Sequence, residues 1–346
     1  MGGTTGTAGA AGIRESERYD VVVVGAGAAG LNAALVLGRA RRRVAVVDAG
    51  EPRNAPAAHM HGYLSRDGMP PAALLAVGRE EVARYGADLI DARVEHIEPA
   101  GAVTGTGTGT VAGTAGPAVP GFVVHLAGGP VLRARRVVVA TGLRDGLPEL
   151  PGLVERWGRD VLNCPYCHGW EVRDRPLGVL GSGPGAVNQA LLLRQWSADV
   201  VLLAHTLALT DAERERLAAR DVRVVEGRIV RLVSEDGRLR GVELADGQVV
   251  PREAVFVFPR PVPRDALLFG LDCARDDDGW VTTDRTGRTS LPGVWAVGNV
   301  ADPRAQVVTA AGAGAAAAFA LDHDLAAEEV ERAVERYRAS GAALPA

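Results

Sequence analysis

The strongest constraint on this chain is a unit that occurs twice. A short apolar, β-branched run, Val21 to Val24, enters the turn Gly25-Ala26-Gly27-Ala28-Ala29-Gly30. An alanine- and leucine-rich stretch follows to Arg39, and then a second apolar run, Val44 to Val47, ends at Asp48. The order recurs as Leu177 to Leu180, the turn Gly181-Ser182-Gly183-Pro184-Gly185-Ala186, Val187 to Gln195 and Asp199 to Ala204. Strands apolar at every position are buried on both faces, as in parallel sheets covered by helices. A strand, glycine turn, helix and strand used twice predict an α/β chain with two Rossmann-like dinucleotide-binding domains. A length of 346 residues fits two domains, at roughly 100–200 residues each.

The two turns are not equivalent. In the first, Gly25 permits the tight turn, Gly27 lets the backbone approach a pyrophosphate, and Gly30 lets helix and strand pack closely. The helix N-terminus then faces the phosphates, and Asp48 stands where an acid binds a ribose hydroxyl. In the second, Ala186 replaces the third glycine, and the next strand ends Leu203-Ala204-His205-Thr206. That ending offers neither an acid for a ribose nor an arginine for a 2′-phosphate, so a nicotinamide site is doubtful and a fold relic stays equally open.

Composition removes several functions. The net charge is −4 and the pI near 6.0, which gives no basic surface to nucleic acid or to anionic membranes. All 38 Lys+Arg residues are arginine, so Schiff-base lysine chemistry and a P-loop lysine are excluded. The N-terminal Gly/Thr/Ala-rich residues show no apolar signal region, and no apolar run reaches the ~18 residues of a membrane span. With only three cysteines the chain is no secreted disulfide scaffold, and a cytoplasmic, reducing setting is expected.

The other segments are simpler. Pro71 to Tyr85 reads as a helix and Asp88 to Ile97 as one strand, with a loop containing His59 and His61 before them. Gly101 to Pro120 reads as a surface insertion, and Phe122 to Leu126 and Val131 to Ala140 as strands. Val294 to Val297 reads as a late strand that returns to the first domain, followed by an alanine-rich helix through Phe319.

The chemistry sits in Cys164-Pro165-Tyr166-Cys167-His168. Two cysteines three apart can close a small redox-active ring, and their proximity lowers one thiol pKa. A c-type haem site also reads Cys-x-x-Cys-His but requires export. Zinc needs four ligands, and this pair with a distant Cys273 does not supply them, so no metal is expected. A redox disulfide is the favoured reading, and Cys273 a bystander.

Together these residues resemble the low-molecular-weight thioredoxin reductase family of flavoproteins. The resemblance runs from Tyr19 to about Leu325 and includes the first glycine turn, Ala140-Thr141-Gly142, the cysteine pair, and the stretch Thr289 to Val300 with Gln306 to Gly312. It implies an FAD-binding domain in two parts, 18–147 and 276–330, around an inserted NAD(P)-like domain, 148–275, that carries the dithiol. Tails of 1–17 and 331–346 flank these domains. It also implies FAD contacts from Gly25, Gly27, Ala28, Ala29, Gly30, Asp48, Ala49, Arg53, Asn54, His61, Val94, Ala140, Thr141, Gly142, Gly298, Asn299, Gln306 and Val307, and a homodimer. For His59 and His61, two solvated loop histidines are the equal alternative.

Two departures matter. The reductases carry a His-Arg-Arg signature where this chain has His205-Thr206-Leu207, and an Asp where Asn299 stands. The family also places an Asp after the second cysteine, and here that residue is His168, whose ordinary pKa near 6.5 suits proton transfer at neutral pH. The block Cys164 to Glu171 is similar to the FAD-dependent dithiol oxidases of natural-product pathways, which close the disulfides of gliotoxin, holomycin and depsipeptide precursors. This implies a small-molecule dithiol and O2 as reaction partners, with Cys164 as the interchange thiol, Cys167 beside the flavin and His168 as base. An NADPH-dependent reductase acting on thioredoxin is the runner-up, and a flavin redox sensor the reading outside enzymology.

Overall fold

The computed structural model describes residues 18–101 and 121–341. The tail 1–17 and nearly all of the Gly101 to Pro120 insertion lie outside the described residues. The chain divides into two compact units: Met1–Pro52, Leu74–Leu143 and Pro263–Ala346 form the first, and Arg53–Ala73 with Arg144–Val262 the second. The structure thus draws one boundary at 143/144 and another at 262/263, and it assigns the loop 53–73 to the unit that holds the cysteine pair.

In the first unit, Arg18–Val24 lies between Val44–Asp48 and Val131–Val139, parallel to both, and Asp88–Asp91 extends the sheet beyond Val44–Asp48. Val21, Val22 and Val23 have no exposure, because helices cover one face of the sheet and a second apolar cluster fills the other. Burying such side chains contributes roughly 1.5–3 kcal/mol each. The late strand Val294–Ala296 does return here, pairing parallel with Val137, Val138 and Val139. The segment expected as one strand over Asp88 to Ile97 is two: Asp88–Asp91 pairs parallel with Val44–Asp48, while Val94–Pro99 pairs antiparallel with Phe122–Leu126. The break falls at Ala92, whose N–H donates to the Asp48 carbonyl at 3.0 Å.

The last helix, Val307–Ala339, continues 20 residues beyond the expected end at Phe319 and takes up much of the expected C-terminal tail. Ion pairs hold it there. Arg136, 1% exposed, reaches Asp324 at 2.7 Å and Glu328 at 2.6 Å. Arg135 and Arg42 both reach Glu329, each at 2.6 Å. The Arg135 hydrogen bond, with help from Arg42, holds the Glu329 carboxyl below its usual range despite some burial. No described helix is long and apolar enough to cross a membrane.

The second unit repeats the plan with a smaller sheet. Its parallel order is Arg223–Val225, Val200–Leu203, Leu177–Leu180, Ala254–Val257 and Val161–Leu162. The antiparallel ribbon Ile229–Glu235, Arg238–Leu244 and Val249–Pro251 packs its apolar side on this sheet.

Candidate active site

The first glycine turn shows why its residues are glycines. Gly25 has φ +103°, and a Cβ there would lie 2.5 Å from the Ala140 carbonyl oxygen; a Cβ on Gly30 would lie 1.9 Å from that of Gly25. A Cβ on Gly27, by contrast, would meet no described atom within 4 Å, so the space over the turn is open. Gly27 begins the helix Ala28–Arg39, whose first N–H groups no described side chain caps. Asp48 stands at the end of its strand, and its Oδ1 accepts the Ala26 N–H at 3.0 Å while Oδ2 lies 3.4 Å from Arg79.

The closing motif joins this turn. Gly298 has φ +72°, and a Cβ there would sit 3.0 Å from the Ala29 Cβ. Asn299 donates through Nδ2 to the carbonyls of Asp302 at 2.9 Å and Ala305 at 2.8 Å, which shapes the loop into the next helix, where Gln306 is the N-cap and Val307 the first residue. The Thr141 hydroxyl donates to the Arg264 carbonyl at 2.6 Å, and the Arg264 N–H returns to the Gly142 carbonyl at 2.9 Å. An open cradle, two helix N-termini and an acid at the strand end suit the pyrophosphate and ribose of a flavin dinucleotide. Of the residues the resemblance implied, Ala28, Ala29 and Ala140 belong to this constellation. Ala49 is exposed just past Asp48, and Val94 is buried in the core beneath the sheet.

Arg53, Asn54 and His61 fall in the second unit. Arg53 grips Asp145 with two hydrogen bonds, of 2.9 and 2.7 Å. The Asn54 carbonyl accepts the Ala57 N–H at 3.1 Å. The His61 ring has Asp67 at 3.3 Å on Nδ1 and Glu171 at 3.4 Å on Nε2.

Cys164 and Cys167 form a disulfide, with their Cα atoms 5.2 Å apart. They bracket the first turn of the short helix Pro165–His168, and the Cys167 N–H points at the Cys164 sulfur, 3.2 Å away. A backbone donor aimed at this sulfur would favour its thiolate once the bond is reduced. Both cysteines and His168 are half-buried. Burial pushes the His168 pKa below its ordinary value, with Glu171 opposing and His61 reinforcing that shift. The ring is therefore neutral at neutral pH and able to accept a proton. Tyr166 and Trp170 project from the same turn, both about two-thirds exposed, and the Arg173 guanidinium stacks 4.1 Å over the Trp170 ring. Cys273 is buried in the first unit, with its sulfur 3.6 Å from the Thr289 hydroxyl.

The second glycine turn is furnished differently. A Cβ on Gly183 would also meet no described atom within 4 Å, but one on Gly185 would sit 2.9 Å from the Phe258 ring. Where Asp48 ends its strand, His205 follows the corresponding one with φ +50°, and its Nδ1 accepts the Ile229 N–H at 3.0 Å. Burial, then the nearby Arg228, lowers the His205 pKa, so this ring brings no cation to a phosphate.

Sequence reasoning missed Glu171, Asp67 and Arg79. Glu171 lies inside the block that carried the resemblance, eight residues from its start to its end. Asp67 and Arg79 give no local signal.

Comparisons with known proteins agree with this geometry. A family model described as pyridine nucleotide-disulphide oxidoreductase matches residues 19–315. The crystal structure of HlmI is 60% identical with a TM-score of 0.89, covering 96% of this chain and all of that one. Thioredoxin reductase sirT of Leptosphaeria maculans is 30% identical over 331 residues, 86% of this chain and 92% of its own length. A relative from Arthroderma benhamiae named a probable thioredoxin reductase is 35% identical over 185 residues, and this chain spans only 43% of its length. This chain therefore belongs to the pyridine nucleotide-disulphide oxidoreductase family, as a thioredoxin reductase-like flavoprotein that acts on sulfur groups.

Proposed function

We propose that this chain is an FAD-dependent dithiol oxidase. It converts a small-molecule dithiol to its disulfide through Cys164 and Cys167, with O2 as the final acceptor and H2O2 as the second product. The observation that carries this reading is the contrast within one unit. The cysteine pair is closed beside a neutral imidazole, while the nucleotide end of the same unit carries His205, uncharged and engaged by Ile229.

The steps follow from the side chains. His168 accepts the proton of one substrate thiol, and the resulting thiolate attacks the Cys164 sulfur, breaking the bond to Cys167. The second substrate thiolate attacks the mixed disulfide, releasing the oxidised product and leaving Cys164 and Cys167 as a dithiol. The Cys167 N–H supports a thiolate on Cys164 while it waits. Bound FAD supplies the two-electron acceptor for this reduced pair, and the electrons leave with O2. Net, one dithiol and one O2 give one disulfide and one H2O2.

The competing reading is an NADPH-dependent disulfide reductase, and one feature favours it. Arg228 is an exposed cation close enough to depress the His205 pKa, and a 2′-phosphate could use it. Anaerobic titration of the yellow holoprotein decides between them. Dithiothreitol should bleach the flavin, NADPH and NADH should not, and air should restore the colour with stoichiometric peroxide. Cys164→Ser should keep its FAD and lose dithiol bleaching. Rapid bleaching by NADPH would replace the oxidase with the reductase.

A further inference from the structure

One stretch of the second unit holds the dithiol turn at both of its ends. Gln189 lies in the helix Ala186–Leu193, which starts at the second glycine turn, and it is 6% exposed. Its Nε2 donates to the carbonyl of Asn163 at 2.6 Å, the residue directly before Cys164. Its Oε1 is buried and meets no hydrogen-bond donor among the described residues. An interior glutamine with half of its amide unsatisfied is destabilising by itself, and packing alone would favour an apolar residue there. Trp196, three residues past the end of that helix, stands at the other end of the turn. A Cβ on Gly169 would lie 2.8 Å from its ring, and the Tyr166 ring meets it edge-on, with centroids 5.6 Å apart. The Trp196 carbonyl accepts the Asp174 N–H at 2.9 Å. Between these two grips lie Cys164, the buried Pro165, Cys167 and His168.

We propose that the stretch from Gln189 to Trp196 clamps the dithiol turn, and that Gln189 is a positioning residue that keeps the Cys167 N–H aimed at the Cys164 sulfur after reduction. The Cys164–Cys167 bond constrains the turn while it is closed. Once that bond is reduced, the backbone has to be held from outside for the donor to stay in line. The hydrogen bond to Asn163 fixes the chain where it enters the turn, and the Trp196 ring leaves Gly169 no room to drift where it leaves. A hydrogen bond to a charged acceptor weakens steeply with distance and angle, so a small rotation at Cys164 disfavours its thiolate. Supporting groups that lock a reactive one in place act in this way. The second glycine turn thereby has a use that needs no nucleotide, since it starts the helix that carries Gln189. The proposal rests on Cys164 and Cys167 cycling between disulfide and dithiol, which the oxidase and reductase readings share.

Anaerobic alkylation of the reduced holoprotein by iodoacetamide, resolved by site with mass spectrometry, reads the Cys164 thiolate as a function of pH. Gln189→Leu removes the donor to Asn163 and the unsatisfied oxygen together, so Tm and FAD content should stay near wild type. Alkylation of Cys164 at neutral pH should slow roughly threefold to tenfold, as the midpoint of its pH profile moves up by about half to one unit. The plateau at high pH should be unchanged. Asn188→Ala, an exposed neighbour on the same helix whose side chain accepts from Arg216, should shift nothing. Trp196→Phe loosens the other grip and should give a smaller upward shift. An upward shift in Gln189→Leu at wild-type Tm supports the clamp. An unshifted midpoint, whatever the Tm, overturns it, and so does an equal shift in Asn188→Ala. Should Gln189→Leu fail to fold, the presence or absence of the shift in Trp196→Phe decides in the same way. The readout uses neither O2 nor a nicotinamide. Rapid bleaching of the flavin by NADPH would therefore replace the oxidase reading and leave the clamp standing, whereas an unshifted midpoint would remove the clamp and leave that reading untouched.

Discussion

The two glycine turns share a backbone plan and differ in what closes each one. After the first, Asp48 spends one oxygen on the Ala26 N–H inside the turn and keeps the other beside Arg79. After the second, His205 spends its ring nitrogen on Ile229, the first residue of the antiparallel ribbon. One end residue therefore organises a ligand cradle, and the other anchors a neighbouring piece of fold. The space is open at the middle glycine of both turns, Gly27 and Gly183, but the second turn also has the Phe258 ring against Gly185. A fingerprint of glycines reports a backbone shape, and the residue that ends the next strand reports whether that shape is used.

The third position of the turn tests this most severely. A methyl on Gly30 would lie 1.9 Å from the Gly25 carbonyl oxygen, and backbone cannot move aside as a side chain can. Gly30→Ala should cost about 3 kcal/mol, lower the Tm by about 10 °C and yield protein purified without its yellow colour. The matched change in the second unit, Ala186→Gly, removes a methyl that is already accommodated and fully buried. It should cost about 1 kcal/mol and leave FAD content unchanged. Thermal denaturation with flavin absorbance reads both, and equal losses would erase the distinction.

Much of this was legible in the chain. The apolar runs at Val21 to Val24 and Leu177 to Leu180 carry enough β-branched or aliphatic density to declare buried parallel strands, and Cys164 to His168 declares its own chemistry. The late strand at Val294 was legible because Gly298 and Asn299 end it in a motif. The loop 53–73 was not. It joins the second unit through contacts distant in sequence, such as Arg53 with Asp145 and Pro56 against Gly158, and no local period encodes them. The same loop carries His61 to Glu171, so that pairing was hidden although Glu171 lay in plain view. The last helix outran its expected end for a similar reason. Its polar second half is held by Arg42, Arg135 and Arg136, all far upstream.

A smaller effect separates the two strand ends. Asp48→Ala deprives the Ala26 N–H and Arg79 of a charged partner, and a hydrogen bond to a charged group is worth about 1.5–3 kcal/mol. FAD should bind roughly tenfold to a hundredfold more weakly, measured by flavin fluorescence on dilution. His205→Ala should leave FAD affinity unchanged and lower stability by about 1 kcal/mol, the value of its bond to Ile229. Loss of FAD from the His205 variant would contradict the assignment of the two turns.

The smallest expected change is at Phe258. Its ring is half-exposed and lies against Gly185, so Phe258→Ala should barely alter the Tm and should leave dithiol-dependent bleaching at the wild-type rate. Removing the ring opens the second turn without supplying what its strand end lacks, an acid for a ribose. NADPH should therefore still fail to bleach the flavin in this variant. If instead Phe258→Ala becomes reducible by NADPH, the second turn is a working nucleotide site closed by one side chain. Arg228, rather than His205, would then be the residue that defines it, and the difference between the two turns would lie in access and not in chemistry.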